Sequence, residues 1–350
     1  APDGSKDENV FDIMQGVSIN LFVKTGKKKK DELGKLLLAD LFGQRFEKYD
    51  KLMCQKLNDV KWQEIKLNQH DFIFREFSDE IRSQYDGMIR LTELMEFSSS
   101  GVKTHNDEKF VANTSTEIEN EFRKSSDTFN ISKCVNYHYR PFDEKVIYYD
   151  VKMLGRPREK TLIHLRHENI AIVLVLQSQA ANLDYFDCAF ITDKMTDTNM
   201  FRRGGPQVFP LYLYSKNDAT SSLLVDKEDI VSRTPNLNKD LVSKISVQLG
   251  LEFTSEKETT EGTFAPIDIL DYIYAVLHSP KYRSKYKEFL KIDFPRVPYP
   301  TDGEKFWKMV SLGGELRQIH LLESPAVSQY ITRYPIEGDN EVEKITYREQ

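Results

Sequence analysis

Aromatic and arginine side chains interleave in one stretch of this sequence, in a pattern that suits contacts to nucleic acid. Residues 137–143 read Tyr-His-Tyr-Arg-Pro-Phe-Asp, and residues 155–158 read Gly-Arg-Pro-Arg. Residues 133–168 hold eight Lys or Arg against five Asp or Glu, whereas the whole chain carries a net charge of -6. Arginine can hold guanine through two parallel hydrogen bonds in the major groove, and tyrosine and lysine can hold phosphates. This stretch predicts DNA contacts from Tyr139, Arg140, Tyr149, Arg156 and Arg158.

A second basic stretch, residues 278–296, holds six Lys or Arg and two acidic residues. On a helix, Lys281 and Lys285 would share one face, whereas Tyr282 and Tyr286 would lie on another. The basic face could hold phosphates. We therefore predict further DNA contacts from Lys281, Arg283 and Lys285.

Both stretches have a purely structural alternative. In the first, Tyr139, Pro141 and Phe142 pack in a core while Arg140 forms an ion pair with Asp143. In the second, a surface helix buries its aromatic side and exposes its lysines to water. The residue types alone leave both interpretations open.

Residues that could support metal or cofactor chemistry are few. His164 and His167 form a close pair that Cys188 could join as a third metal ligand. The run at residues 143–145, Asp-Glu-Lys, has the residue types of a metal-dependent nuclease, but neighbours on a strand point to opposite faces and a solvated turn is the alternative. The sequence contains neither the Gly-rich turn and Asn-Pro-Pro-Tyr-like loop of amino methylation nor a phosphate-binding Gly-x-x-x-x-Gly-Lys-Ser/Thr loop. We therefore expect no catalytic, cofactor-binding or metal-binding residue in this chain itself.

Length and composition favour a multidomain protein of the cytoplasm. The 350 residues suffice for two or three packed units, and 39% are hydrophobic. No apolar run approaches the roughly 18 residues of a membrane span, and the first residues lack the pattern of a signal peptide. Three widely spaced cysteines argue against a disulfide framework.

The first part of the chain is predicted to be small and incomplete. Residues 10–24 contain two strand-like apolar runs, residues 36–42 resemble another strand, and residues 46–57 have helical spacing. We assign residues 1–60 to this part and residues 61–110 to a connector with a helical stretch at its end.

The remainder of the chain is predicted to be strand-rich first and helical afterwards, which gives a mixed α/β (α+β) fold. In residues 111–235, Ser115 caps a helix and a mixed or antiparallel sheet follows. Its expected strands are at residues 146–149, 170–176, 189–192 and 208–214. In residues 236–350, helices are expected at residues 241–249, 267–277, 284–290 and 304–322.

These segments together resemble the single-chain restriction-modification enzymes of type ISP and type IIG, in which one polypeptide joins nuclease, methyltransferase and target-recognition parts. Residues 9–24 look like the closing strands of the adenine methyltransferase domain. Residues 99–107 look like the connector into target recognition, which adds Lys103 and Thr104 to the predicted DNA contacts. Residues 139–143 and 209–214 are similar to the recognition sheet, and residues 271–300 carry the most specific similarity.

The resemblance implies that a parent enzyme flips an adenine out of the duplex and methylates its N6 amino group with S-adenosylmethionine, while this region holds the flanking double-stranded DNA in register. The chain would then be a non-catalytic fragment whose partners are DNA and the upstream methyltransferase and nuclease domains. Two alternatives remain: a metal-dependent nuclease centred on Asp143 and Lys145, and a protein-binding adaptor. DNA binding without turnover would separate the three.

Overall fold

The computed structural model describes residues 5–13, 16–29, 32–65, 78–175, 186–201, 205–215, 232–291, 293–329 and 338. The chain divides into two compact units, Ala1–Arg82 and Ser83–Gln350. The division into four segments expected from the sequence stays a prediction. Several predicted positions lie outside the described residues, including Gln15 between the two strand-like runs, Leu176 at the end of a strand, and residues 216–231 of the strand-rich segment.

Helices and strands are numbered in chain order over the described residues. The helices are α1 Arg45–Cys54, α2 Asp79–Asp86, α3 Leu91–Leu94, α4 Asp107–Phe110, α5 Ser115–Lys124, α6 Glu159–Leu162, α7 Lys239–Leu249, α8 Pro266–His278, α9 Pro280–Lys285, α10 Lys287–Leu290 and α11 Gly303–His320. The strands are β1 Leu36–Leu38, β2 Gln63–Ile65, β3 Ile89–Arg90, β4 Ser99–Ser100, β5 Val111–Ala112, β6 Cys134–Arg140, β7 Asp143–Tyr148, β8 Ala171–Leu174, β9 Ala189–Thr192, β10 Met195–Thr196, β11 Gln207–Pro210, β12 Tyr212–Tyr214, β13 Arg233–Pro235, β14 Glu252–Phe253, β15 Thr263–Phe264 and β16 Arg296–Val297.

In Ala1–Arg82, β1 pairs antiparallel with β2 and helix α1 lies between them in the chain. The helix confirms the spacing of residues 46–57, and β1 confirms a strand at the start of residues 36–42. The segment before them lies along the helix, since Lys48 is buried and its Nζ donates to the carbonyl of Glu8 at 2.7 Å.

The strands predicted within residues 10–24 are not formed in residues 10–13 and 16–24, the part of that range that the structure describes. A strand needs a neighbouring strand to satisfy its backbone N–H and C=O groups, and alternation of apolar residues does not supply one. Ile19, Phe22 and Val23 are accordingly 75%, 86% and 84% exposed.

Two four-stranded sheets make up the strand-rich part of Ser83–Gln350. The first has the order β10-β6-β7-β5, in which β10 runs parallel to β6 and the other pairs are antiparallel. The second has the order β4-β11-β8-β9 and is antiparallel throughout. The mixed or antiparallel sheet expected from the sequence is thereby confirmed.

Helix α5 packs its apolar side into the main core. Ile118 and Phe122 are buried in one cluster with Tyr137, Ile147 and Tyr148 from the first sheet. The helix begins one residue earlier than expected, because the hydroxyl of Thr114 accepts the N–H of Glu117 at 3.3 Å. This packing determines which face of the first sheet is turned to the core, and it therefore determines which side chains point away from the core.

The helical part contains the predicted helices and two of them cross closely. A Cβ atom on Gly313 of α11 would lie 1.9 Å from the carbonyl oxygen of Asp271 in α8, so only glycine fits this crossing. The helix predicted at residues 284–290 is instead two short helices, α9 and α10, which break at Tyr286. In the described residues no helix combines the length and apolar character required to cross a bilayer.

Candidate nucleic-acid interface

Two predicted basic residues from distant parts of the sequence lie side by side. The N–H of Lys103 donates to the carbonyl of Arg156 at 3.0 Å, and the N–H of Arg156 donates to the carbonyl of Lys103 at 2.8 Å. Residues that exchange both hydrogen bonds across an antiparallel pair place their side chains on the same face. Both side chains are exposed. The bridge therefore brings the cations of the connector and of the Gly-Arg-Pro-Arg segment together.

Two glycines allow these loops to approach their neighbours closely. A Cβ on Gly101 would lie 2.4 Å from the carbonyl oxygen of Asp197, and a Cβ on Gly155 would lie 2.5 Å from the ring of His105. Residue 102 also forms an isolated parallel bridge with Asp197. The connector is thus attached both to the Arg156 loop and to the segment after β10.

Tyr139 is joined to the connector through a single carboxylate. Its hydroxyl donates to Oδ2 of Asp107 at 3.0 Å, and the hydroxyl of Thr104 donates to Oδ1 of the same residue. Burial and the hydrogen bond to Asp107 raise the pKa of Tyr139. Thr104 itself is buried, so it holds the connector in shape while Lys103 next to it points outward.

Arg140 is the most firmly held of the predicted basic residues. Its Nη1 donates to Oδ1 of Asp197 at 2.9 Å and also to the carbonyl of Tyr139, and its guanidinium lies 3.8 Å from the centroid of the Tyr139 ring. The alternative in which Arg140 pairs with Asp143 is wrong, because its carboxylate partner is Asp197. Phe142 does not pack in a core either, being 54% exposed at the turn of the β6–β7 hairpin.

Lys145 belongs to the same surface although sequence reasoning placed it only in a hypothetical nuclease site. Its Nζ lies 5.3 Å from the centroid of the Tyr139 ring. The alternation of strand β7 could have indicated this, since Lys145 is opposite Tyr137 in the hairpin register. We call Lys103, Tyr139, Arg140, Lys145 and Arg156 the basic surface.

Tyr149 and Arg158 flank this surface. Tyr149 is buried and its hydroxyl donates to the carbonyl of Pro157 at 2.9 Å, which anchors the loop that carries Arg156. Arg158 is exposed in the left-handed conformation, with φ of 55°, and precedes helix α6. Direct DNA contact by either residue stays a prediction.

The second basic stretch has the predicted distribution of side chains. Tyr282 and Tyr286 are buried, whereas Lys281 and Lys285 are exposed. Arg283 is partly engaged within the fold, since its Nε donates at 2.6 Å to the carbonyl of Leu277 near the end of α8. Only the two lysines present exposed ammonium groups on this helix.

The residues that could form a nuclease site, at positions 143–145, do not point to a common site. On β7, the carboxylate of Glu144 lies 3.0 Å from Lys194 and 3.4 Å from Nε2 of His138, while Lys145 lies over Tyr139. No group of three or more His, Cys, Asp or Glu side chains that could hold a metal occurs in the described ranges.

The proposed histidine and cysteine ligands have other partners or surroundings. Nδ1 of His164 accepts the N–H of Tyr214 at 3.1 Å, and the ring of His167 stacks on Tyr214 at 4.4 Å. Cys188 is buried, which raises the pKa of its thiol to about 12. A protonated thiol is a poor metal ligand at neutral pH.

The start of helix α1 is contacted by acidic side chains from the first residues of the chain. The one strand-to-helix turn there, before α1, has its N–H groups taken by carboxylates of the chain. Asp7 accepts the N–H of Gly43 at 2.9 Å, and Glu8 accepts that of Arg45 at 3.1 Å. These two N–H groups are therefore already paired within the chain.

Three solved structures share this fold. One is titled "ATP-dependent Type ISP restriction-modification enzyme LlaBIII bound to DNA" (TM-score 0.58, 22% identity, 84% of this chain and 20% of that chain). A second is a cryoEM structure of a DrdV-DNA complex (TM-score 0.58, 19% identity, 82% of this chain and 30% of that chain). A third is a nuclease-deletion mutant of the type ISP enzyme LlaGI with a DNA substrate mimic (TM-score 0.56, 16% identity, 84% and 28%).

The chain spans between 20% and 30% of the length of these three proteins. No curated protein sequence gives a significant match. The model of the type ISP C-terminal specificity domain, by contrast, matches residues 65–350. The chain therefore belongs to the family of type ISP C-terminal specificity domains.

Proposed function

We propose that this chain recognises a sequence in double-stranded DNA on behalf of a restriction-modification enzyme and carries no complete catalytic site of its own. The observation that carries the proposal is the bridge between Lys103 and Arg156, beside the Tyr139–Arg140 pair, in a chain of the specificity-domain family. Cations from separate segments that meet on one exposed face form an electrostatic footprint for phosphates.

The proposal divides the predicted residues by their exposure. Lys103, Arg156 and Arg158 are exposed and would contact the DNA, and Lys281 and Lys285 would hold phosphates of the same duplex. The buried Thr104 and Tyr149 would support the loops of the basic surface, and the partly buried Arg283 would support helix α8.

The parent enzyme supplies the chemistry in this proposal. A methyltransferase domain would methylate adenine at N6 with S-adenosylmethionine, and a nuclease domain would cut unmodified DNA. The reaction requires access to DNA inside the cell, so we place the protein in the cytoplasm. Three cysteines without a disulfide bond are in keeping with that compartment.

The first test is binding of fluorescein-labelled duplexes to the 350-residue chain, measured by fluorescence anisotropy. Lys103→Ala and Arg156→Ala should each weaken binding several-fold, because each removes a phosphate contact. Lys124→Ala is a matched control, since Lys124 is 71% exposed on α5 and paired with Glu121. Equal binding by all four chains would refute the proposed surface.

A cleavage assay separates the nuclease alternative. The chain should leave duplex DNA intact with magnesium or manganese present. Cleavage that Asp143→Ala abolishes would establish the nuclease instead, and a chain that binds no duplex at all would favour a protein-binding adaptor.

A further inference from the structure

The side chain of Arg140 is fixed on one edge and open on the other. Nη1 is occupied by Oδ1 of Asp197 and by the carbonyl of Tyr139, and the plane of the guanidinium rests on the Tyr139 ring. Its Nε and Nη2 have no partner among the residues that the structure describes. One third of the side chain, 33%, remains exposed.

Asp197 holds this arginine from inside the protein. Its side chain is 3% exposed, Oδ2 accepts the hydroxyl of Tyr137 at 2.7 Å, and Oδ1 accepts the N–H of Asn199 at 2.7 Å. The backbone of Asp197 is fixed as well, because its N–H donates to the carbonyl of His138 at 3.0 Å. A carboxylate held by two donors, on a backbone that is itself hydrogen-bonded, leaves the arginine little rotational freedom.

The open edge of Arg140 has the hydrogen-bonding geometry required to bind guanine. Nε and Nη2 provide two parallel N–H donors, which match the O6 and N7 acceptors that guanine presents in the major groove. A guanidinium group whose orientation is already fixed loses less conformational entropy when it binds. More of the interaction energy can then discriminate between bases.

Arg156 and Arg158, the other two arginines predicted to contact DNA in this stretch, lack such an anchor. Arg156 and Arg158 are exposed, and no carboxylate among the described residues contacts either side chain. A mobile cation can follow the phosphates of any sequence but does not impose a direction on a base contact.

We propose that Arg140 reads a guanine of one G·C base pair, and that Asp197 is the positioning residue that makes this reading specific. The inference rests on the proposed function and adds which base and which residues determine specificity. Arg156 and Arg158 then hold phosphates, which makes them interchangeable with lysine in a way that Arg140 is not.

The test is selection from a randomised duplex library by the full 350-residue chain, followed by sequencing of the bound fraction. The chain should enrich guanine at one position. Arg140→Ala should reduce discrimination at that position by about 5- to 150-fold and leave the others unchanged. Arg140→Gln should shift the preference there from guanine towards adenine, because glutamine pairs with N6 and N7 of adenine.

Asp197→Asn should relax the same single position, and Asp271→Asn is its matched control. Asp271 is also a buried carboxylate, and it pairs with Arg317 at 2.7 Å. Its replacement should lower the melting temperature without changing base preference. If Asp197→Asn fails to fold by circular dichroism, Tyr137→Phe, which removes one donor to Asp197, should produce a smaller relaxation at the same position.

The outcomes are distinguishable. A uniform loss of affinity in Arg140→Ala would make Arg140 a phosphate contact, and an unchanged preference would remove it from the interface; either overturns the inference and leaves the proposed function standing. A folded Asp197→Asn chain with full discrimination would overturn the positioning role. A wild-type chain that binds no duplex would overturn the proposed function as well.

Discussion

Lys103 and Arg156 are directly opposite each other in a hydrogen-bonded antiparallel pair, so two like charges share one exposed face. Such a pair opposes folding by roughly 0.2 to 1 kcal/mol through charge repulsion. An anion bound between the two side chains would relieve the repulsion. Anion binding therefore accounts for a pair of cations that fold stability does not favour.

Removal of either cation should therefore weaken DNA binding while leaving folding unharmed. Arg156→Ala should lower the slope of log affinity against log salt by about 0.9, the value for one phosphate contact. Its unfolding free energy should stay equal or rise by a few tenths of a kcal/mol. Anisotropy titrations over a range of salt concentrations and urea unfolding measure the two effects. A lower affinity with an unchanged salt slope would contradict a phosphate contact.

Removal of either exposed lysine of α9 should weaken the binding of all DNA sequences alike. Lys281 and Lys285 are exposed on a helix whose aromatic residues are buried, and flexible ammonium groups suit phosphates better than bases. Library selection with Lys281→Ala and Lys285→Ala should give the base preferences of the unaltered chain at a several-fold higher protein concentration. A changed preference at any one position would assign base reading to this helix.

The crossing of α8 and α11 should not tolerate a methyl group at Gly313. The nearest atom to an added Cβ would be the carbonyl oxygen of Asp271, which is backbone and cannot move aside. Gly313→Ala should cost about 3 kcal/mol or more of unfolding free energy, by the penalty for overpacking. Gly303→Ala, in the same helix with nothing within 4 Å, should be neutral or stabilising. Equal unfolding midpoints for the two variants would contradict the close crossing.

Acidification should destabilise the helical part through His278. Burial is the main cause that lowers its pKa from 6.5 to about 4, and its Nδ1 lies 2.9 Å from the carbonyl of Tyr274. Because the folded pKa lies below the unfolded one, the neutral ring contributes stability above pH 6.5 that is lost as the pH falls towards 4. The free energy of unfolding, measured with urea, should decline over this pH range, and the decline should be shallower in His278→Gln than in the unaltered chain. Equal declines of the unfolding free energy in the two chains would exclude His278 as a source of the pH dependence.

S-adenosylmethionine should not bind to this chain measurably. The N–H groups of Gly43 and Arg45 before and at the start of α1 already donate to Asp7 and Glu8, and the sequence contains no Gly-rich turn of the methyltransferase type. Isothermal titration calorimetry should give no binding isotherm. A stoichiometric isotherm with micromolar affinity would place part of a cofactor pocket in this chain.

Local patterns were sufficient to predict much of the fold. The apolar spacing of α8 and α11 and the buried strands β8 and β9 are strong local signals, and the structure confirms them. The runs in residues 10–24 show the limit of such signals, because a strand also requires a partner that the sequence does not specify.

The candidate site was predictable in its residue types and unpredictable in its assembly. The sequence indicated Arg140 and Arg156, yet nothing local could indicate that Asp197 would hold the first or that Lys103 would pair with the second. Both contacts join distant segments, and the close approach of those segments depends on the absence of a side chain at Gly101 and Gly155.

The close approach of Gly101 to the backbone of Asp197 also bears on how new target sequences could arise. Glycine and main-chain atoms fix the connector there, whereas Arg140 contacts the side-chain carboxylate of Asp197. Substitutions at position 140 can therefore alter the base that is read while the main-chain contacts between the connector and Asp197 remain. A specificity domain built in this way can diversify its target one residue at a time while its architecture is inherited intact.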